Sequence, residues 1–254
     1  MSYANYELWK TMAVGHEPHL SIVIPTFNEE DRILPTIGAI TGYVSKLGTD
    51  WELIVADDGS SDKTVEVVEA LGFANLRVLK ARHIGKGSAV QQGMLAARGK
   101  YVLFSDADNS MPIEEVTRLL PKLEYEGYDI AIGSRVPRSA KEIKSPLTRH
   151  LLRRWLSWLV HRTLPMSIHD TQCGFKLFTH AAAQHLYQAQ TIMGFAFDVE
   201  ILCLAAHLHY RVAEVLVGWV DAPESKFTYK EFQRFVRDLS KIARNSSKGR
   251  YASS

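Results

Sequence analysis

Cysteine is scarce in this 254-residue chain, with Cys173 and Cys203 the only two. Two thiols so far apart supply neither a disulfide framework nor a Cys-based zinc site, so a reducing compartment is expected. Long apolar runs are also lacking. No stretch reaches the roughly 18 consecutive apolar residues of a membrane span, and the N-terminus has no signal-peptide core. A net charge of only +2 provides no chain-wide field for holding a nucleic acid, which is therefore not an expected partner. Gly85-Lys86-Gly87 lacks the G-x-x-x-x-G-K-[ST] spacing of a P-loop, which argues against nucleoside triphosphate hydrolysis. What is present, a 46% hydrophobic share, suffices for the core of one cytoplasmic domain.

Apolar runs alternate with helical periods along most of that length. Residues 1–19 show no period and read as an N-terminal arm. Strands are predicted at Leu20–Ile24, Trp51–Ala56, Leu76–Lys80, Tyr101–Ser105 and Asp129–Ile132. Between them lie predicted helices from a cap at Asn28 to about Lys46, then at Lys63–Leu71, Ser88–Ala97 and Ile113–Glu126. Such alternation implies an α/β fold with a doubly wound, mostly parallel sheet. Ligands of such sheets bind beyond the C-terminal strand ends. The polar clusters Thr26–Glu29, Asp57-Asp58, Lys86, Asp106-Ala107-Asp108 and Arg135 all fall there. Any one of them also fits an ordinary turn.

Asp106 and Asp108 close the Tyr101–Ser105 run. Carboxylates at i and i+2 can share a hard divalent cation without His or Cys, which favours Mg²⁺ or Mn²⁺ over zinc. The same two residues also suit a cap on the turn before Pro112. Charge is unevenly distributed. Residues 135–164 carry eight Lys or Arg against Glu142 alone, a net +7 that leaves −5 for the remainder.

Taken together, Ser21–Glu30 (SIVIPTFNEE), Asp57–Asp62 (DDGSSD), Gly85–Gly87 and Asp106–Asp108 resemble the successive motifs of family-2 glycosyltransferases. Gly133-Ser134-Arg135, Asp170–Phe178 (DTQCGFKLF) and Phe197–Glu200 (FDVE) resemble the branch that glycosylates polyprenyl phosphates, most of all the dolichyl-phosphate β-glucosyltransferases. The similarity spans about Ser21 to Lys226. It implies the GT-A fold, a Rossmann-like arrangement, with Pro25, Thr26, Glu29, Asp57 and Asp58 around the nucleoside of a nucleotide-sugar. Lys86 then lies near the nucleoside or its phosphates, and Asp106 and Asp108 hold the metal on the diphosphate. Ser110 stands where mannosyltransferases of that branch often carry Gln, which favours UDP-glucose over GDP-mannose. Gln172 does not begin a Q-x-x-R-W motif, so a processive polysaccharide synthase is not implied.

The chemistry agrees with a phosphate acceptor. A phosphate monoester is already anionic near pH 7 and attacks without a general base, whereas a sugar hydroxyl normally requires a carboxylate. Arg135 and Arg149 are the predicted acceptor-phosphate ligands, since guanidinium grips phosphate in a fork, with Lys176 and Lys226 as further cations. Asp170 and Asp198 are the carboxylates available as a base, and Asp170 alternatively braces the acceptor loop.

Lipid access is predicted at 145–164, an appended amphipathic helix opened by Ser145-Pro146 and ended by Pro165. Leu151, Trp155, Trp158 and Leu159 lie on its apolar side, and Arg149, Arg153 and Arg154 on the other. That pattern suits an anionic membrane surface, though it also suits packing on the sheet or on another subunit. Residues 227–244 form a second basic helix pattern, and 245–254 read as a polar, disordered tail. The expectation is a peripheral enzyme, on the inner face of the cell membrane or the cytosolic face of an internal one. It transfers a hexose from a nucleotide-sugar to a polyprenyl phosphate with inversion; a soluble hydroxyl acceptor or GDP-mannose is the alternative.

Overall fold

The computed structural model describes residues 10–11, 17–137, 160, 168–220 and 229–251. Its strands are β1 (Leu20–Thr26), β2 (Trp51–Asp57), β3 (Leu76–Lys80), β4 (Tyr101–Ser105), β5 (Ile130–Pro137), β6 (Phe175–Thr179) and β7 (Val212–Trp219). Its helices are α1 (Ile33–Val44), α2 (Thr64–Glu69), α3 (Lys86–Ala96), α4 (Val116–Glu124, after a 3-10 turn at Ile113–Glu115), α5 (His180–Ala189), α6 (Phe197–His207) and α7 (Tyr229–Ser247).

The strands form one sheet in the order β3-β2-β1-β4-β6-β5-β7. β1 is parallel to β2 and β4, β2 to β3, and β5 to β7, while β6 runs antiparallel between β4 and β5. The expected doubly wound, mostly parallel α/β architecture is therefore present. Side chains alternate across β1 as a period of two requires. Leu20, Ile22 and Ile24 meet Ile33, Ile37, Ile40 and Val44 of α1, whereas Val23 joins Ala89, Val90 and Met94 of α3 on the opposite face. Both faces are covered, so β1 is buried at every position. Each fully buried Ile, Leu or Val stabilises the fold by about 1.5–3 kcal/mol. α3 lies close on β1 because Gly93 has no Cβ; one would fall 2.3 Å from Val23 Cγ1. That close approach fixes the helix whose first residue is Lys86.

Several boundaries differ from the predicted ones. α1 begins at Ile33, and Asn28 does not cap it: Asn28 adopts φ 54° and accepts the Ser61 N–H at 2.8 Å. The residue therefore ties the β1 exit to the β2 exit. A disordered tail from Asn245 is corrected over 245–251. α7 continues to Ser247, and buried Tyr251 donates its hydroxyl to Glu200 Oε1 at 2.9 Å, an anchor that tail composition does not reveal.

Arg149, Leu151, Trp155, Trp158, Leu159 and Lys226 lie outside the described residues, as do 1–9 and 12–16 of the arm. Within the proposed 145–164 helix only Val160 is described, and it is buried in the core on the α3 face. Among the described residues no helix is long and apolar enough to cross a membrane.

Candidate functional site

Four parallel strands, β1, β2, β4 and β5, end on one edge of the sheet, and the loops that follow them carry the site. At the end of β2, Asp57 and Asp58 are buried and committed to backbone. Asp57 Oδ2 accepts the N–H groups of Gly59 (3.0 Å) and Ser60 (2.9 Å), while Oδ1 takes the hydroxyls of Thr26 and Ser60. Asp58 Oδ1 accepts the Ile84 and Gly85 N–H groups at 3.0 and 3.1 Å, and its Oδ2 lies 2.8 Å from His83 Nδ1. His83 in turn stacks on Phe27, with ring centroids 4.1 Å apart. Asp58 thus fastens the loop after β3 to the β2 exit. Pro25 and Thr26 are buried at the end of β1. Glu29 is held by the Arg32 guanidinium at 2.8 and 3.0 Å, and its own N–H donates to Thr64 Oγ1. These residues shape the loops at the C-terminal ends of β1 and β2.

The charged centre lies at the exit of β4. Lys86 Nζ sits 2.6 Å from Asp106 Oδ1, an oxygen sealed from solvent. Burial alone would lower the Lys86 pKa, but Asp106, Asp198 and Asp108 outweigh it and raise the value, so the ammonium stays charged. Asp106 lies against the chain at Gly174: a Cβ there would come within 1.9 Å of Asp106 Oδ2. Asp106 N–H donates to Gly174 carbonyl oxygen at 3.1 Å, which binds the β4 exit to the loop before β6. Asp108 Oδ1 accepts the Ser110 N–H at 2.9 Å.

Arg135, on β5, faces the same centre. Its Nε and Nη2 donate to Asp170 Oδ2 and Oδ1 at 2.6 and 2.7 Å, and its N–H reaches Oδ2 at 3.1 Å. Burial would raise the Asp170 pKa, but Arg135 more than offsets it and lowers it below the ordinary carboxylate value. Asp170 is therefore a brace for Arg135 and a poor proton acceptor. Glu214 on β7 steadies that loop by accepting the Asp170 N–H at 2.9 Å.

Lys176 is not an acceptor ligand. It is wholly buried in β6, where its ammonium donates to Asp198 Oδ1 at 2.5 Å and to the Cys173 carbonyl oxygen at 2.6 Å. The sheet face from which it projects is covered by α6, which carries Asp198, and sequence spacing alone did not show that cover. Asp198, the other candidate base, is consumed by that pair; its pKa is raised, by burial above all.

Both D-x-D side chains offer oxygen. The nearby Cys173 thiol is pushed up to about 12, mainly by burial. Among the described residues no group of three or more His, Cys, Asp or Glu side chains forms a complete metal site. Two carboxylates fit a hard cation that keeps waters and draws further ligands from substrate phosphates, as Mg²⁺ does.

The family-2 glycosyl transferase model matches residues 21–187, from β1 through α5. The chain belongs to glycosyltransferase family 2. Relatives of this family-2 enzyme include the dolichyl-phosphate β-glucosyltransferase of Saccharomyces cerevisiae, 37% identical over 231 residues, covering 83% of this chain and 69% of that protein. The Drosophila melanogaster enzyme of the same name is 38% identical over 239 residues, covering 87% and 73%. Among solved structures, glucosyl-3-phosphoglycerate synthase from Mycobacterium tuberculosis, in complex with Mn²⁺, UDP-glucose and phosphoglyceric acid, matches with TM-score 0.65. It is 21% identical, over 97% of this chain and 84% of that one. Mannosyl-3-phosphoglycerate synthase from Rubrobacter xylanophilus matches with TM-score 0.69 at 17% identity, over 92% and 76%. At such identities the likeness concerns the fold, which is GT-A.

The candidate site thus gathers Asp106, Lys86, Arg135 and Asp170 into one field, with Asp108 and Asp198 also acting on Lys86. Three participants escaped the sequence. His83 sits in a turn with no motif of its own, and Gly174 was visible only as part of the 170–178 stretch. Arg234 of α7 lies 150 residues from the Ile84 carbonyl it binds, a separation no local pattern spans.

Proposed function

We propose that this glycosyltransferase moves glucose from UDP-glucose to a polyprenyl phosphate of the dolichyl type, with inversion, at a membrane surface. The observation that carries the reading is the Arg135–Asp170 pair beside Lys86–Asp106. It sets a fixed cation next to the centre and makes Asp170 a poor proton acceptor, while Asp198 is engaged by the buried Lys176 ammonium. An acceptor that already carries its negative charge suits such a site; a sugar hydroxyl, which must lose a proton, does not. The names of the curated relatives support the same acceptor and sugar.

Asp106 and Asp108 would hold a divalent cation, which when bound supplies positive charge to the departing diphosphate. The chain's own residues contribute the rest. Lys86 keeps its ammonium charged against the aspartates and is positioned to bind donor phosphate as it departs. Asp57, Asp58 and Thr26 hold the loops that enclose the nucleoside. Arg135 presents its remaining Nη donors to the acceptor phosphate while Asp170 fixes the guanidinium plane. With donor and acceptor on opposite sides of the anomeric carbon, a single displacement inverts it. Arg149 is assigned to the same phosphate, and Leu151, Trp155, Trp158 and Leu159 to the lipid surface, on sequence pattern alone.

The test incubates purified protein with Mn²⁺ or Mg²⁺, a short polyprenyl phosphate and, in parallel, UDP-glucose, UDP-galactose, UDP-N-acetylglucosamine or GDP-mannose, and reads lipid masses. A hexose added from UDP-glucose is the expected result. Donor hydrolysis with no lipid product would remove the lipid acceptor from the account.

A further inference from the structure

We propose that Arg234, on the C-terminal helix α7, is a positioning residue of the donor site, acting through the Ile84 carbonyl to set Lys86 against Asp106. The inference deepens the reading of this edge as a nucleotide-sugar site and rests on it.

The loop His83–Lys86 is gripped from two sides. From the sheet, Asp58 Oδ1 takes the Ile84 and Gly85 N–H groups at 3.0 and 3.1 Å. From α7, Arg234 Nη1 and Nη2 both donate to the Ile84 carbonyl oxygen at 3.2 Å. The donors and the acceptor of one peptide segment are thereby held by two elements that are far apart in sequence. Directly after this clamp the chain turns through Gly85, whose φ of 145° is open to glycine and rarely to other residues. A Cβ at Gly85 would lie 2.6 Å from the Met193 carbonyl oxygen and 3.5 Å from Arg234 Nη1, so the guanidinium also walls in the turn. The next residue is Lys86, whose ammonium reaches Asp106 at 2.6 Å.

The helix that carries Arg234 is itself anchored to the same region. Phe235, Leu239 and Ile242 are buried in the core beside Phe197 and Val199 of α6. Asp238 stands 4.0 Å from Arg234 Nε and steadies the side chain from the following turn. At the far end, Tyr251 donates to Glu200, whose other oxygen accepts the Thr191 and Ile192 N–H groups at 2.8 and 2.7 Å. Residues 192–194 lie against Gly85 and Gly87. α7 thus bears on the Lys86 loop directly through Arg234 and indirectly through Glu200, which makes the C-terminal segment part of the donor site.

The test uses the full chain with Arg234→Ala, Arg234→Gln and wild type. The first readout needs no ligand: deuterium exchange in the peptide covering His83–Lys86, expected to rise at least fivefold in Arg234→Ala while peptides from β1 and β4 stay unchanged. The second is calorimetric binding of UDP and of GDP with Mn²⁺. Arg234→Ala is expected to weaken the nucleotide that wild type binds about tenfold. Arg234→Gln retains one donor for the carbonyl and should recover affinity to within threefold of wild type. In kinetics the donor KM should carry the loss, with kcat changed less than threefold. Equal losses in Ala and Gln, with normal exchange, would show a direct phosphate contact and overturn the proposal. So would wild-type exchange and binding in Arg234→Ala, or exchange raised uniformly over the whole chain. Wild type that binds neither nucleotide would remove the donor-site reading and this inference with it, a failure distinct from a variant that behaves as wild type.

Discussion

Replacing Gly174 by alanine adds one methyl group at the centre of the site. Its Cβ would stand 1.9 Å from Asp106 Oδ2, 2.3 Å from Cγ and 2.9 Å from Oδ1. Carbon and oxygen need roughly 3.3 Å even in close contact, so the carboxylate must retreat by about 1.4 Å. The backbone cannot easily absorb this movement, because Asp106 N–H is bonded to the Gly174 carbonyl oxygen at 3.1 Å. A misplacement of about 1 Å in a group that positions reactants costs on the order of 100-fold in rate, or roughly 2.7 kcal/mol of barrier. Gly174→Ala should therefore lower kcat/KM for hexose transfer at least 100-fold and raise the metal concentration giving half-maximal rate. Overpacking at this buried position costs about 1–3 kcal/mol, so thermal unfolding should fall by only several degrees. Gly42, inside α1 with nothing within 4 Å of a Cβ, is the matched control. Gly42→Ala should stabilise by about 0.5–1 kcal/mol and leave the rate alone. A Gly174→Ala enzyme within threefold of wild type at all metal concentrations would refute the placement of Asp106.

Lys176→Met should destabilise by about 3 kcal/mol, because it strands the buried Asp198 carboxylate, and Lys176→Met/Asp198→Asn should recover part of that loss; chemical denaturation measures both. The pKa values of Asp170 and Glu52 are both lowered on folding. Their contribution is present above the unfolded values of about 4 and is lost as pH falls through and below that range. Melting temperature should accordingly drop between roughly pH 5 and pH 3, and Glu52→Gln should flatten the drop at a cost of about 2 kcal/mol at neutral pH, since Arg77 and Arg98 lose a charged acceptor. Trp155→Ser/Trp158→Ser should weaken sedimentation with anionic vesicles at least fivefold while altering transfer to a short, water-soluble prenyl phosphate less than twofold; unchanged sedimentation would assign that helix to the core.

The sheet was legible because buried parallel strands write themselves as short apolar runs closed by turn residues, and β1 to β4 stand within two residues of their predicted spans. β6 was not, because Phe175-Lys-Leu-Phe-Thr179 is short and its lysine breaks the apolar run. Its antiparallel direction depends on where the chain returns after residue 168, and the lysine facing inward looks like a surface residue until Asp198 is placed beside it. Asp106, Lys86 and Arg135 were found because function concentrates them at strand ends. Their pairing was not, because an ion pair such as Arg135–Asp170 joins positions 35 apart through folding alone. The same limit explains Asp58: its sequence position suggested a nucleoside contact, whereas its Oδ1 holds the backbone of the loop that delivers Lys86.

The most direct test of the central claim is proton and phosphorus NMR of the product made from UDP-glucose and a short polyprenyl phosphate. The account predicts a glucosyl residue joined through its anomeric carbon to the phosphate oxygen, in the β configuration. An α linkage, or glucose attached to a hydroxyl with the phosphate left as a monoester, would contradict it.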